Sequence, residues 1–147
     1  MISQKSIPLL SIIGILISVY LTYLHYVPEK LDASFCNISN YLSCSTVNQS
    51  SYALLFGIPV ALIGIFGFIL ILYLSKSKSQ YTNVALFYSS ALGLLFMLYL
   101  LIAELFVIKA LCILCTVVLL VILAIFLITV KAHGKESLQF LKDIRFE

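Results

Sequence analysis

The chain has 147 residues, of which 63% are hydrophobic and 10% are charged, and its formal net charge is +3. Soluble globular domains are about 45–50% apolar and about 25% charged, so this composition excludes an ordinary soluble protein and indicates a membrane protein. The small positive charge calls for no nucleic-acid partner, because the basic residues lie at the ends of apolar runs.

Four charge-free apolar runs follow one another along the chain. They are Ile7 to Tyr26, Tyr52 to Ser75, Tyr81 to Ala103 and Ala110 to Val130. Each has about 20 residues or more, enough helix at about 1.5 Å per residue to cross a hydrocarbon core of about 30 Å. We therefore predict an all-α integral membrane protein, a four-transmembrane-helix bundle in one domain over residues 1–147, with helices at about 7–26, 52–75, 81–103 and 107–130.

The first two apolar runs have distinctive starts. The first run could be a signal peptide, but it exceeds an apolar region of roughly 7–15 residues and no A-x-A site follows, so we predict a retained helix. In the second run, Pro59 suits the first turn of a helix and not its interior. The regular helix is therefore expected to begin near Pro59, with Ser50 to Phe56 as a short segment at the outer membrane surface.

The basic residues predict the orientation. If the N-terminus is cytoplasmic, seven of the nine lie in cytoplasmic segments and two lie outside. The seven are Lys5, Lys76, Lys78, Lys131, Lys135, Lys142 and Arg145, and the two are Lys30 and Lys109. This bias predicts a multi-pass protein of the cell membrane with both termini in the cytoplasm, an outer loop at 27–51 and a cytoplasmic tail at 131–147.

Four cysteines fall into two pairs. Cys36 and Cys44 lie in the polar segment "FCNISNYLSCSTV", and Cys112 and Cys115 lie in "LCILC" at the start of the fourth helix. The predicted topology puts both pairs on the extracytoplasmic side. Cys112 and Cys115 share one helix face, where a disulfide can form, and the helix N-terminus and Lys109 favour a thiolate. Cys112 is expected nearer the water and Cys115 one turn deeper.

Several roles fit these cysteines. Those in the helix could be inert small hydrophobes, and those in the loop could form a purely structural disulfide. A metal site is not predicted, since the loop spacing is C-x₇-C and His25 and His133 lie on opposite sides of the membrane. A relay accounts for both pairs: a mobile loop disulfide oxidises a protein thiol and passes electrons by exchange to the helix pair, which reduces a two-electron acceptor in the bilayer, such as a quinone.

The segment from Phe35 to Cys115 carries a wider pattern. It runs "FCNISNYLSCSTVNQSSYALLFGIPVALIG" and, further on, "CILC": two loop cysteines, the second followed by Ser, another Ser six residues later, a G-x-P and a late C-x-x-C. This pattern resembles the prokaryotic branch of the vitamin K epoxide reductase family. The resemblance implies a four-helix bundle around a quinone pocket that opens towards the extracytoplasmic side.

The resemblance also implies residue roles. The cysteines carry over by position, with Cys36 and Cys44 as the loop shuttle pair and Cys112 and Cys115 as the redox centre. Cys115 would lie next to the quinone, a ubiquinone or menaquinone. Ser50 would hold the loop or donate a hydrogen bond near the quinone ring, or else cap the following turn. Tyr52 and Phe56 are placed to wall the pocket or to anchor the chain at the interface.

Two departures from the family refine the expected activity. Animal members carry a tyrosine where this chain has Leu119, which argues against vitamin K epoxide chemistry and anticoagulant binding. Many prokaryotic members carry a fused thioredoxin-like domain that this sequence lacks, so a separate partner of the DsbA type is expected. The predicted function is a quinone-dependent membrane thiol oxidase that regenerates the disulfide of an extracytoplasmic thioredoxin-fold protein. The alternatives are a quinone-epoxide or quinone reductase of the vitamin K type, and a non-enzymatic membrane subunit with a stapled loop.

Overall fold

A ring of four long helices makes up most of the structure, a computed structural model that describes residues 5–27, 29, 37–39, 41–77 and 79–145. Side chains are described throughout these ranges except at positions 45, 80, 132–138, 140, 141 and 144. The long helices are α1 (Ser6–Tyr26), α3 (Val60–Lys76), α4 (Gln80–Ala103) and α5 (Ile113–Arg145), and a short helix α2 spans Cys44–Asn48. The largest interfaces are those of α1 with α3 and of α4 with α5, and contacts of α1 with α5 and of α3 with α4 close the ring.

The predicted helical membrane protein is confirmed as a class. Within the described residues, three helical stretches are long and apolar enough to cross a membrane, namely Ser6–Tyr26, Tyr81–Ile108 and Ile113–Lys131. Helix α3 is apolar but has 17 residues, which rise about 25 Å against a hydrocarbon core of about 30 Å. Four complete crossings therefore stay a prediction.

The second apolar run becomes helical only at Val60, so the predicted start at residue 52 is wrong. The expectation of a start near Pro59 is confirmed, since Pro59 directly precedes the first helical residue. Its ring fixes φ near the helical value and its missing N–H costs nothing at a helix start. Between the predicted and the observed start lie a 3₁₀ turn at Ser51–Ala53 and a small antiparallel hairpin.

The hairpin consists of strands β1 (Leu54–Leu55) and β2 (Ile58–Pro59). Its turn contains Phe56 and Gly57, both with positive φ, 54° and 81° respectively. Glycine adopts this left-handed region freely, whereas phenylalanine does so at a cost. The hairpin therefore reverses the chain tightly and exposes the Phe56 side chain at its tip.

The helical backbone of α4 continues beyond residue 103, the predicted end of the third helix. A π-helical turn at Glu104–Ile108 extends it, and Lys109 follows in the left-handed conformation with φ of 59°. The Glu104 carbonyl oxygen accepts hydrogen bonds from the N–H groups of Lys109 and Ala110. Helix α5 then begins at residue 113, later than the predicted 107, and continues through most of the predicted tail.

Two buried clusters hold the ring together. The first draws residues from all four long helices and contains Ile7, Phe68, Ile71, Leu86, Val118, Val121, Ile122, Ile125 and Ile128. Helices α1 and α3 approach closely there, because a Cβ added at Gly14 would lie 2.6 Å from the Phe68 ring. The second cluster contains Leu21, Cys44, Val47, Ala110 and Cys112, and it gathers the end of α1, α2 and the start of α5. This second cluster positions the candidate site.

Candidate redox site

Two sulfur atoms from distant parts of the chain meet in the second cluster. Cys112 Sγ lies 2.8 Å from Cys44 Sγ, and both residues are fully buried. Cys44 is disulfide-bonded, whereas Cys112 and Cys115 are free thiols. Cys36, the expected partner of Cys44, lies outside the described residues. The site thus sets a free thiol against a sulfur of a disulfide, which is the arrangement that thiol–disulfide exchange requires.

A backbone bridge brings these two sulfurs together. Leu42 and Leu111 pair in parallel. The Ser43 N–H donates to the Leu111 carbonyl at 3.0 Å, and the Leu111 N–H donates to the Tyr41 carbonyl at 2.7 Å. Cys44 follows Leu42 by two residues and Cys112 directly follows Leu111, so the pairing of Leu42 with Leu111 fixes the two sulfurs side by side.

Helix α2 is fastened at both of its ends. At its start, the Ser43 Oγ accepts a hydrogen bond from the Thr46 N–H at 3.3 Å, as an N-cap residue does. At its end, the buried Asn48 side chain donates to the Leu21 carbonyl at 3.1 Å, and the Asn48 carbonyl accepts from His25 Nδ1 at 2.9 Å. The segment that the sequence suggested as a mobile loop is therefore, around Cys44, docked against the end of α1.

Cys112 occupies the N-cap position of α5. Its carbonyl accepts from the Thr116 N–H at 3.0 Å, and its Sγ accepts from the Cys115 N–H at 3.4 Å. The predicted placement of both cysteines at the helix start is confirmed, and Cys115 lies one helical turn further along α5 than Cys112, while their depth in a membrane stays a prediction. Cys112 is completely buried and Cys115 is half-buried. The cause is the docked segment, because Cys44 covers Cys112 and leaves Cys115 facing a cavity.

The cavity beside Cys115 has a volume of about 60 Å³. Binding sites for small molecules combine apolar walls with a few precisely placed polar groups. The polar or titratable residues that line this cavity are Ser18, Asn48, Ser50, Tyr52, Glu104 and Cys115. The remaining wall is apolar and includes Leu21, Val47, Ala53, Val60, Ala61, Met97, Leu100, Ile108 and Val118. The cavity suits an apolar ligand that carries a few polar atoms.

Of the three supporting residues that the sequence suggested, Ser50, Tyr52 and Phe56, the structure places two at the cavity. Ser50 and Tyr52 line the cavity. The Ser50 Oγ donates to the Val47 carbonyl at 2.6 Å and makes no cap bond to the following turn, so the capping alternative is wrong. Phe56 does not wall the cavity, because the tip of the hairpin leaves its side chain 96% exposed.

Glu104 is a site residue that the sequence reasoning missed. It is 4% exposed, lines the cavity and accepts a hydrogen bond from the Cys112 N–H through Oε2 at 3.4 Å. Its carboxylate also interacts with the Cys115 side chain. The sequence held a signal, since Glu104 is the only acidic residue between Asp32 and Glu136. An isolated acid within apolar helices commonly marks a functional site.

Comparison with known proteins identifies one family. The family model described as the vitamin K epoxide reductase family matches residues 6–130. The match includes the four cysteines, Glu104 and every residue that lines the cavity. A search of curated proteins finds no match for this chain.

Proposed function

This chain belongs to the vitamin K epoxide reductase family, and we propose that it is a membrane thiol oxidase. In this proposal it takes electrons from an extracytoplasmic thioredoxin-fold protein of the DsbA type and passes them to a quinone, either ubiquinone or menaquinone. The net reaction converts a partner dithiol and a quinone into a partner disulfide and a quinol. The observation that carries the proposal is the contact of the Cys44 and Cys112 sulfurs, with Cys115 beside a cavity.

The exchange within the chain has two steps. With Cys112 and Cys115 joined as a disulfide and the loop pair reduced, the Cys44 thiolate attacks the Cys112 sulfur and releases Cys115. The Cys36 thiolate then attacks Cys44, which forms the loop disulfide and releases Cys112. The oxidation state of the cysteines in this structure corresponds to the product of these steps, since Cys44 is disulfide-bonded and Cys112 and Cys115 are thiols.

The helix pair then carries two electrons for the acceptor. Cys112 lies sealed under Cys44, so Cys115 is the cysteine that can reach a small molecule in the cavity. The apolar walls would hold a quinone ring, and Tyr52 offers a hydroxyl donor for its carbonyl oxygens, whereas the Ser50 hydroxyl proton is donated to the Val47 carbonyl. In this role the quinone accepts both electrons while Cys112 and Cys115 form a disulfide.

The proposed topology follows from the helices and the basic residues. Because the chain reverses direction between successive long helices, the end of α1 and the starts of α3 and α5 lie at one end of the ring. Cys44, Cys112 and Cys115 are gathered at this end. The positive-inside rule assigns this end to the extracytoplasmic side, where a thioredoxin-fold partner would dock, and assigns both termini to the cytoplasm.

The direct test is quinone reduction by the full chain in proteoliposomes. A reduced DsbA-type protein would serve as electron donor and ubiquinone-1 or menadione as acceptor. Cys115→Ala should abolish quinol formation, whereas Leu119→Ala, one turn further along α5, should retain it. Quinol formation at the wild-type rate by Cys115→Ala would contradict the proposal. A stapled, non-enzymatic subunit predicts no quinol formation even by the wild-type protein.

A further inference from the structure

Among the described residues, the π-helical turn after α4 carries the only acidic side chain that lines the cavity. A buried carboxylate is costly unless it is paired or serves a purpose. Within the same part of the chain, no lysine or arginine forms an ion pair with Glu104. A glutamine could accept the Cys112 N–H bond equally well without a charge. A role in structure alone therefore does not explain why this position carries an acid.

The contacts of Glu104 point to proton transfer. Its carboxylate accepts from the Cys112 N–H at 3.4 Å and interacts with the Cys115 side chain, so it touches the two cysteines of the redox pair. It also faces the cavity that Cys115 faces. The π turn holds it there, because the Glu104 carbonyl is fixed by the N–H groups of Lys109 and Ala110. One carboxylate thus contacts both residues of the redox pair and lines the space for the acceptor.

We propose that Glu104 is the proton carrier of the redox pair, which accepts the Cys115 thiol proton and delivers it to the acceptor in the cavity. This inference rests on the proposed function. When Cys112 and Cys115 form their disulfide, two S–H bonds break, one S–S bond forms, and two electrons and two protons leave the pair. The acceptor takes up both electrons and both protons. Glu104 carries the Cys115 proton and returns to the carboxylate, and the Cys112 thiol supplies the second proton.

The titratable groups around Glu104 are few. Among the described residues they are the Cys112 and Cys115 thiols, Tyr52 across the same cavity and the exposed Lys109 at the end of the π turn. The contacts of the carboxylate are with the two cysteines and not with Tyr52 or Lys109. Glu104 therefore has one short route for a proton, between the thiols and the cavity.

The test compares Glu104→Gln with Glu104→Asp and with Glu29→Gln, a matched control at an exposed carboxylate. Dithiothreitol reduces the purified full chain, and ubiquinone-1 accepts the electrons, so no protein partner is needed. Positioned acid–base groups contribute about 10²–10⁴-fold, so Glu104→Gln should lower turnover by at least about 100-fold. Glu104→Asp should recover part of the loss and Glu29→Gln should turn over normally. Turnover of Glu104→Gln within about threefold of wild type would overturn the inference.

A second readout needs no quinone. In a Cys112→Ser background, the pH dependence of Cys115 alkylation by iodoacetamide is followed by mass. Removing an adjacent carboxylate changes the field at the thiol, so the midpoint should move in Glu104→Gln and stay fixed in Glu29→Gln. An unmoved midpoint in Glu104→Gln would overturn the inference.

A third measurement separates proton transfer from folding. The yield of the Cys44–Cys112 mixed disulfide in a Cys36→Ser, Cys115→Ser background should be the same with and without Glu104→Gln. A joint loss of this yield and of turnover would show a structural role and would overturn the inference. If the wild-type protein reduces no quinone, the proposed function fails; if wild type and Glu104→Gln reduce it equally, only the inference about Glu104 fails.

Discussion

Cys112 and Cys115 are one helical turn apart, yet their surroundings differ completely. Cys112 caps the helix, is fully buried and touches Cys44 at 2.8 Å. Cys115 is half-buried and faces a cavity whose wall is mostly apolar. One sulfur of the pair therefore faces another part of the protein, and its neighbour faces space for a small molecule.

This difference arises from two segments distant in sequence. The bridge between Leu42 and Leu111 places Cys44 over Cys112. The π turn after α4 and the end of α1 leave room beside Cys115, where Glu104 and Leu21 line the cavity. A C-x-x-C on a helix can thus present its two thiols to different reactants, because the chain packs differently on each. A variant that alters the surroundings of one of these cysteines should therefore leave the surroundings of the other unchanged.

The largest effect is expected for covalent trapping on the Cys112 side. A chain with Cys36→Ser and Cys115→Ser retains only two cysteines, Cys44 and Cys112, whose sulfurs touch. Mild oxidation should convert it completely to the Cys44–Cys112 disulfide, measured by mass after proteolysis. The matched chain with Cys36→Ser and Cys112→Ser should form far less of the Cys44–Cys115 bond. Equal yields would show that the helix cysteines are interchangeable and would break the comparison.

Filling the cavity should weaken binding of the electron acceptor beside Cys115 and leave the Cys44–Cys112 contact unchanged. Leu100 lines the cavity from α4, and Leu100→Trp would place a larger side chain there. Overpacking of about 1.4 kcal/mol corresponds to a KM for ubiquinone-1 about tenfold higher. Leu95→Trp is the matched control, since Leu95 lies on the same helix and is 65% exposed. An unchanged KM in Leu100→Trp would place the acceptor elsewhere, and the mixed-disulfide yield should be normal in both variants.

Much of the bundle could be predicted from the sequence because lipid requires long apolar helices, and charged residues mark their ends. Pro59 likewise indicated the start of α3, since proline is tolerated in a first turn. The hairpin before it could not be predicted, because Leu54, Leu55 and Ile58 have the same apolar character as a helix in lipid. The left-handed conformation of Phe56 is also not a conformation that its residue type favours.

The candidate site likewise combines features that could be predicted from the sequence with features that could not. The two cysteine pairs stand out in an apolar sequence, and their spacing placed Cys112 and Cys115 at a helix start. Which of them is covered could not be predicted, because it depends on the pairing of Leu42 with Leu111, 69 positions apart. Glu104 lies between the predicted helices that end at about 103 and begin at about 107, and the π turn that carries it has no clear sequence signature. The contact of its carboxylate with the Cys112 N–H depends on this turn and could not be predicted.

Loosening helix α2 should slow formation of the Cys44–Cys112 disulfide, by a smaller factor than the effects of cysteine trapping and cavity filling. His25→Ala removes the hydrogen bond from Nδ1 to the Asn48 carbonyl, which ties α2 to the end of α1. A hydrogen bond of this kind contributes about 1 kcal/mol, so formation of the Cys44–Cys112 disulfide should slow by about fivefold. Tyr41→Ala is the control, because it alters an exposed side chain and keeps the backbone bond to Leu111. Reduction of ubiquinone-1 by dithiothreitol should be unaffected, and a loss of that activity would show that the two surroundings are coupled.

The smallest effect is expected before helix α3, where Tyr52 in the 3₁₀ turn and Phe56 at the hairpin tip differ in their relation to the cavity. Tyr52 lines it, whereas Phe56 is 96% exposed. Phe56→Ser should therefore leave the KM for ubiquinone-1 within about twofold of wild type, below about 0.4 kcal/mol of binding free energy. Tyr52→Ser should raise the same KM, because it removes part of the wall and a hydroxyl group. A larger change in KM for Phe56→Ser than for Tyr52→Ser would mean that the acceptor contacts the hairpin tip, and that Cys115 passes its electrons outside the cavity.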